Sequence, residues 1–203
     1  MARTQQPLDE AREARLLLGA ADEFLAHGFQ QASLNRIIAA AGLGKSSFYH
    51  YFADKQALYD HLLQTLSVHF ATQRARVDRD ALTRETFWSE LDASLRGLGA
   101  AGAAEPVQRA LARLFHASPD HGDGFSALRQ GLRDGLAALL RRGQELGAVR
   151  ADLPIDLVIE LAAGWLFALD RWAADQPVGA EGEDAAAAAD RALRVLYVAL
   201  AVH

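Results

Sequence analysis

The chain contains no cysteine. That excludes a disulfide framework, a thiolate zinc site and a cysteine nucleophile together, and removes the usual mark of a small exported domain. No apolar run reaches the roughly 18 residues of a membrane span, and the opening MARTQQPLDEAREA lacks the apolar core of a signal peptide. A cytoplasmic protein with no membrane partner is expected. No segment alternates apolar and polar residues as a half-buried strand does. GxSxG, HExxH and a complete nucleotide-binding loop are also missing, so no catalytic residue, metal or cofactor is expected. Gly44-Lys45-Ser46 resembles the tail of a phosphate loop, but Ala39 stands where its first glycine belongs and a helix precedes it instead of a strand. His116, Asp120, His121 and Asp123 lack the tight spacing of metal ligands and read as a polar loop. Basic charge is not in excess either: 21 Lys and Arg stand against 26 Asp and Glu, a net charge of -5, whereas nucleic-acid-binding domains are commonly basic.

What is present is helical. Hydrophobic residues make up 51% of the chain, enough for a soluble globular protein with one large domain or a small one joined to a larger. Leu17, Leu18, Ala21, Phe24 and Leu25 share one face of a first helix that should stop at His27-Gly28. Ser33 is placed to cap a second, whose apolar face is Leu34, Ile37, Ile38 and Ala41 and which Gly42 ends. After Gly42-Leu43-Gly44 a third begins at Lys45, with Phe48 and Phe52 four apart on its inner side. Two short helices joined by a glycine turn behind a longer one form a helix-turn-helix. From Asp54 a long helix carries Leu58, Leu62, Leu66 and Phe70 on one stripe, and a charged loop follows from Arg74 to Arg84.

Beyond the loop, helices are predicted over Phe87 to Leu98, Val107 to Phe115, Phe125 to Leu146, Ile155 to Trp172 and Asp184 to Val202, with a loop from Gln176 to Glu183. The fold class is therefore all-α: a helix-turn-helix domain over residues 1-57, then a larger helical domain over 58-203. The last two helices are apolar on nearly every face and need burial on two sides. Either they form an inner pair within one protomer, or they form a four-helix interface between two, with Leu161, Trp165, Leu169, Leu193, Leu196 and Leu200 as the interface residues. Asp170, Arg171, Arg191 and Arg194 argue against a membrane hairpin.

Lysine is nearly absent, and both copies, Lys45 and Lys55, fall inside the helix-turn-helix stretch. The sequence there, ASLNRIIAAAGLGKSSFYHYFADKQAL from Ala32 to Leu58, resembles the DNA-binding domain of the tetracycline-repressor (TetR) family, with its "AG" turn, aromatic-rich recognition helix and F-x-x-K-x-x-L continuation. Residues 143–172 look like the stretch that leads into that family's penultimate helix. Ile38 stands where many members have alanine, and Gly44 where they often have serine or threonine. The resemblance implies phosphate contacts from Ser33, Tyr49 and Lys55. Lys45, Ser46 and Ser47 open the recognition helix, where a lysine suits guanine and a serine several bases. His50 and Tyr51 are placed for a base, thymine-methyl or backbone contact, and Asn35 for an adjacent base or phosphate. Outside these roles Tyr49 and His50 read as surface side chains, and the two lysines as solvated charges.

The resemblance further implies a homodimer on palindromic double-stranded operator DNA, its recognition helices about 34 Å apart, released by a small-molecule effector. Phe87, Trp88, Leu91, Phe115, Phe125, Leu128 and Trp165 are the candidate effector contacts, and their aromatic content suggests a hydrophobic molecule. The competing reading is a helical enzyme or interaction module in which the helix-turn-helix serves only packing.

Overall fold

The computed structural model describes residues 8–74, 77–117, 123–176 and 182–202. Among them the chain forms α1 (Glu10–Gln31), α2 (Leu34–Ala40), α3 (Lys45–Tyr51), α4 (Lys55–Arg74), α5 (Phe87–Ala104), α6 (Pro106–Ala117), α7 (Asp123–Glu145), α8 (Ile155–Ala174) and α9 (Gly182–Leu200). The only β pairing among the described residues is an isolated bridge between Val149 and Ala201. The architecture is all-α, and none of the described helices is long and apolar enough to cross a membrane. Asp120, His121 and most of the Gln176–Glu183 loop lie outside the described residues.

Helix ends follow from local chemistry. Asp9 caps α1 by accepting the Arg12 N–H at 3.0 Å, and Glu10 and Glu13 oppose the positive end of the dipole. The expected stop at Gly28 is a break: φ is +68° there, a value side chains disfavour, and the chain resumes a last turn to Gln31. The buried face of α1 also starts earlier than expected. Leu16 and Ala20 join Leu17, Ala21 and Phe24, while Leu18 and Leu25 are half-buried. The cause is that α1 packs against α2 on one side and, more extensively, against α6 on another. At the end of α2, Gly42 adopts φ +65°, so that its N–H reaches Ala39 O (3.0 Å) and the Leu43 N–H reaches Ile38 O (3.1 Å). This is the glycine-closed C-cap that satisfies the last carbonyls of a helix.

Two apolar clusters hold the molecule. The first joins α1, α2, α3 and α4 to Leu111, Leu114 and Phe115 of α6 and Phe125 of α7. Edge-to-face contact of Tyr59 with Phe125, centroids 5.8 Å apart, sits where the DNA-binding end meets the C-terminal helices. α4 runs through residue 57 without interruption, so this core continues across the expected domain boundary. The second cluster collects Leu82, Phe87 and Leu91 with Leu140 of α7, Val158, Ile159 and Ala162 of α8, and Leu196 and Leu200 of α9. The expected loop after α4 is anchored to it by Leu82. Reciprocal Thr83 and Thr86 hydrogen bonds of 3.1 and 3.2 Å then start α5.

α7 approaches this second cluster through Gly143. A Cβ there would stand 2.5 Å from Val149 Cγ2 and 2.6 Å from Phe87 Cζ, whereas Gly131 on the same helix faces open space. Gly143→Ala should therefore destabilise by about 1–3 kcal/mol through overpacking. Gly131→Ala should stabilise by up to about 1 kcal/mol through helix propensity. Urea denaturation midpoints of the two variants should move in opposite directions.

Candidate nucleic-acid interface

α3 is seven residues long, too short to persist alone. It is held from behind by Phe48, which is fully buried and stacks on Phe52 with centroids 5.5 Å apart. With that side fixed, Lys45, Ser46, Ser47, Tyr49 and His50 are exposed, Tyr49 by 56%. Tyr51 is half-buried, its ring edge-on to His50 at 5.0 Å. Gly44 occupies the N-cap of α3 and supplies no side-chain bond. Asn35 is exposed at the start of α2, and Ser33 caps that helix through Oγ, which accepts the Arg36 N–H at 3.4 Å and keeps its own proton to donate. Eight of the nine expected DNA-contacting residues thus lie on α3 or at the start of α2, all at least partly exposed.

The ninth, Lys55, is differently placed. Its ammonium donates to Phe29 O at 2.6 Å, Ala32 O at 3.0 Å and Gln30 O at 3.2 Å, and lies 4.8 Å from the centre of the Phe29 ring. Three donors meet three acceptors, leaving none for a phosphate. The charge also sits where α1 ends and its carbonyls lack helical partners. Lys55 therefore ties α4 to the end of α1. Its partners are 23 to 26 residues away, so no local pattern signals this role.

A second clamp joins α1 to α2. Glu23 accepts the Ser33 N–H at 2.7 Å and both edges of the Arg36 guanidinium, Nε at 2.9 Å and Nη2 at 2.5 Å. The Arg36 bonds hold the Glu23 carboxyl far below its usual range, at about 2. A third contact, His61 Nε2 to Glu13 Oε1 at 2.7 Å, joins α4 to α1, with the imidazole against Phe52. Periodicity and capping signals foretell none of these clamps.

The seven expected effector contacts do not converge. Phe87, Trp88 and Leu91 belong to the second cluster, where Trp88 Nε1 donates to Ala148 O at 3.1 Å. Phe115, Phe125 and Leu128 belong to the first. Trp165 is exposed on the outer side of α8, in an open groove of about 600 Å³ with Trp172 and Leu169 of α8 and Ala188 and Ala192 of α9. The expected interface residues divide as well. Leu161 and Trp165 are exposed and Leu169 is half-buried. Leu193, Leu196 and Leu200 are only 6%, 5% and 4% exposed, closed off within the protomer. The outward residues of α9 are instead Val195 and Val198, with Val202 exposed just beyond its end. The period of an all-apolar helix does not say which side faces inward.

Residues 16–62 match the family model described as bacterial regulatory proteins of the tetR family, and residues 94–201 match that of the SbtR-like transcriptional regulator C-terminal domain. Among curated proteins, the HTH-type transcriptional repressor Rv1474c of Mycobacterium tuberculosis is 26% identical over 73% of this chain and 74% of its own. The repressor KstR2 of the same organism is 28% identical over 80% and 81%. The solved structure of KstR2, described as a ketosteroid transcriptional regulator, superimposes with a TM-score of 0.70 at 22% identity. It covers 97% of this chain and 98% of that one, and shares its fold.

Both clamps make testable demands. Lys55→Met, which keeps the aliphatic stem and loses three charge-assisted bonds, should destabilise the protein by about 2 kcal/mol in urea denaturation. An ordinary surface lysine would change stability by less than about 0.5 kcal/mol. The Glu23 pKa is depressed on folding, so its contribution is fully present above the unfolded value of 4.5 and is lost as pH falls toward 2. Glu23→Gln should melt below the wild type at pH 7, and the gap should close between pH 4.5 and 2.

Proposed function

The chain belongs to the TetR family of bacterial transcriptional regulators, and from that premise we propose that it is a repressor that binds a palindromic operator as a homodimer and leaves it when a small effector binds the C-terminal domain. The observation that carries this reading is the division of α3 into a buried aromatic side and an exposed polar one. Helices that enter a major groove need both. Lys45, Ser46 and Ser47 would read base edges, with Tyr49, Ser33 and Asn35 on the flanking backbone and His50 and Tyr51 at the far end of the helix. Lys55 would act on DNA only by fixing the helices that do the reading. Repression, as opposed to activation, is supported by the function of the similar proteins named above.

The outer faces of α8 and α9 support the dimer. Leu157, Leu161, Trp165 and Trp172 on one helix, Val195 and Val198 on the other and Val202 just past its end are all exposed in the protomer, a larger apolar surface than a lone soluble protein usually presents. Packing two such pairs across a two-fold axis buries it. The aromatic content of the C-terminal helices supports a mainly apolar effector. Ligand binding need only favour a head separation other than about 34 Å, and a coupling of roughly 1 to 3 kcal/mol lowers operator affinity 5- to 150-fold.

The test is fluorescence anisotropy of the full chain on duplexes tiled across the DNA flanking its coding region, at two salt concentrations. One tight palindrome is expected, its affinity falling with salt by the shallow slope that few phosphate-neutralising cations give. Lys45→Ala and Tyr49→Ala should each weaken binding about tenfold or more, and Leu161→Asp should lower both the sedimentation mass and the affinity. Unchanged affinity in Lys45→Ala and Tyr49→Ala would favour a helix-turn-helix kept for packing alone.

A further inference from the structure

Where α6 and α8 end behind the second half of α1, the three helices line a half-open pocket of about 160 Å³ bounded by Leu25, Arg113, His116, Arg171, Ala174 and Asp175. It holds none of the seven expected effector contacts and lies away from both apolar clusters' centres. Its wall carries two guanidinium groups whose hydrogen-bonding capacity is unspent. Among the described residues Arg171 has no ion pair and no side-chain hydrogen bond. The sole partner of Arg113 among them is Asp175, at 3.9 Å, beyond hydrogen-bond reach, with a carboxylate 68% exposed. The third polar group is His116, whose side chain is only 4% exposed. Its Nε2 lies 2.7 Å from Asp170 Oδ2. Because an ionised carboxylate only accepts, Nε2 carries the proton of that bond. Nδ1 is buried without a partner, a condition that native interiors rarely tolerate.

Arginine forks match the planar pair of oxygens of a carboxylate or the oxygens of a phosphate, and an unpaired fork beside a polar cavity is the usual preparation for one. The space admits only a small ion. We propose that this cavity is a binding site for a small oxyanion, a short carboxylate or inorganic phosphate, held between Arg113 of α6 and Arg171 of α8 with His116 as a third polar neighbour. The ends of α6 and α8 themselves place partial negative charge nearby, so the anion is held by the side chains and not by the helices. An ion seated there cancels the repulsion of two like charges and draws α6 and α8 together. α6 is the element that carries Leu111, Leu114 and Phe115 into the core shared with the helix-turn-helix, and Leu25 of α1 forms the cavity's other side. The occupied site therefore sets the spacing of helices on which the DNA-binding end rests. The site itself does not depend on the operator-binding reading, and direct binding tests it alone.

Isothermal titration of the full chain in a chloride buffer with sodium phosphate, and separately with sodium lactate, reads the site. Saturable millimolar binding of at least one anion at one per protomer is expected, weakened about tenfold by either Arg113→Gln or Arg171→Gln. Binding of phosphate alone identifies a phosphate site, and binding of lactate alone a carboxylate site. Both arginines are exposed, so thermal melting should be unchanged. Arg171→Lys, which keeps the charge and loses the fork, should weaken binding less than Arg171→Gln. Absence of saturable binding by both anions, or binding that survives the double glutamine variant, would overturn the proposal.

Discussion

The exposed edge of α3 depends on what is hidden behind it. A seven-residue helix gains too little from its own hydrogen bonds to offset its ordering entropy, so its existence rests on taking Phe48 wholly out of water against α1, α2 and α4. That burial orients every other residue of the helix. With Phe48 inward and Phe52 stacked beside it, the 100° step of the α-helix turns Ser46, Tyr49 and His50 outward, while Lys45 is exposed because it opens the helix. The polar residues owe their arrangement to the aromatic ones.

The same core unites the DNA-binding end and the C-terminal helices into a single mechanical body. Three polar clamps fasten α1 to its neighbours: Glu23 to Ser33 and Arg36, Lys55 to the last carbonyls of α1, and Glu13 to His61. Between them they tie both α2 and α4 to α1, so these three helices have little freedom to shift separately. Beneath them α1 lies on α6, and Tyr59 meets Phe125. α6 and α7 thus pack directly on the core of the helix-turn-helix, with no solvent-filled gap for a hinge between Tyr59 and Phe125. Packed interiors transmit strain because they have few voids in which to dissipate it.

Most of the fold was legible because helix signals are local. Ser33, the glycines of the turn, Pro106 and the 3.6-residue spacing placed every described helix within a few residues, apart from α5, which extends to Ala104 past the expected Leu98. The exposed side of α3 was legible for the same reason, since a buried Phe48 and a half-buried Phe52 four residues apart fix the opposite side. What was not legible is long-range. Lys55 reads as a solvated charge until Phe29 and Ala32 are seen to face it. The three clamps connect residues far apart in the chain. In α8 and α9 apolar residues occupy both sides, so periodicity alone did not separate the inward Leu193, Leu196 and Leu200 from the outward Val195 and Val198. Nor do aromatic residues announce which of two cores they join, which is why the expected effector contacts were gathered into one group and the structure divides them.

The clamps also resolve how a chain of net charge -5 serves a polyanion. Residues 1–56 hold six cations, and four are engaged within the protomer: Arg12 with Asp9, Arg15 on Ala41 O, Arg36 with Glu23, and Lys55 on three carbonyls. Arg3 lies outside the described residues, and Lys45, at the start of α3, has no ion pair among the described residues. A surface so poor in uncommitted cations displaces few counterions, and the salt dependence of binding scales with the number of phosphates neutralised by cations. On the proposed reading the remaining contacts would come from neutral donors, the hydroxyls of Ser33, Ser46, Ser47 and Tyr49 and the amide of Asn35, whose hydrogen bonds need correct geometry to count. Such a surface would gain little from DNA of arbitrary sequence and most from the duplex that fits it, so in the proposed complex discrimination between sites would arise as much from the scarcity of positive charge as from base contacts by α3.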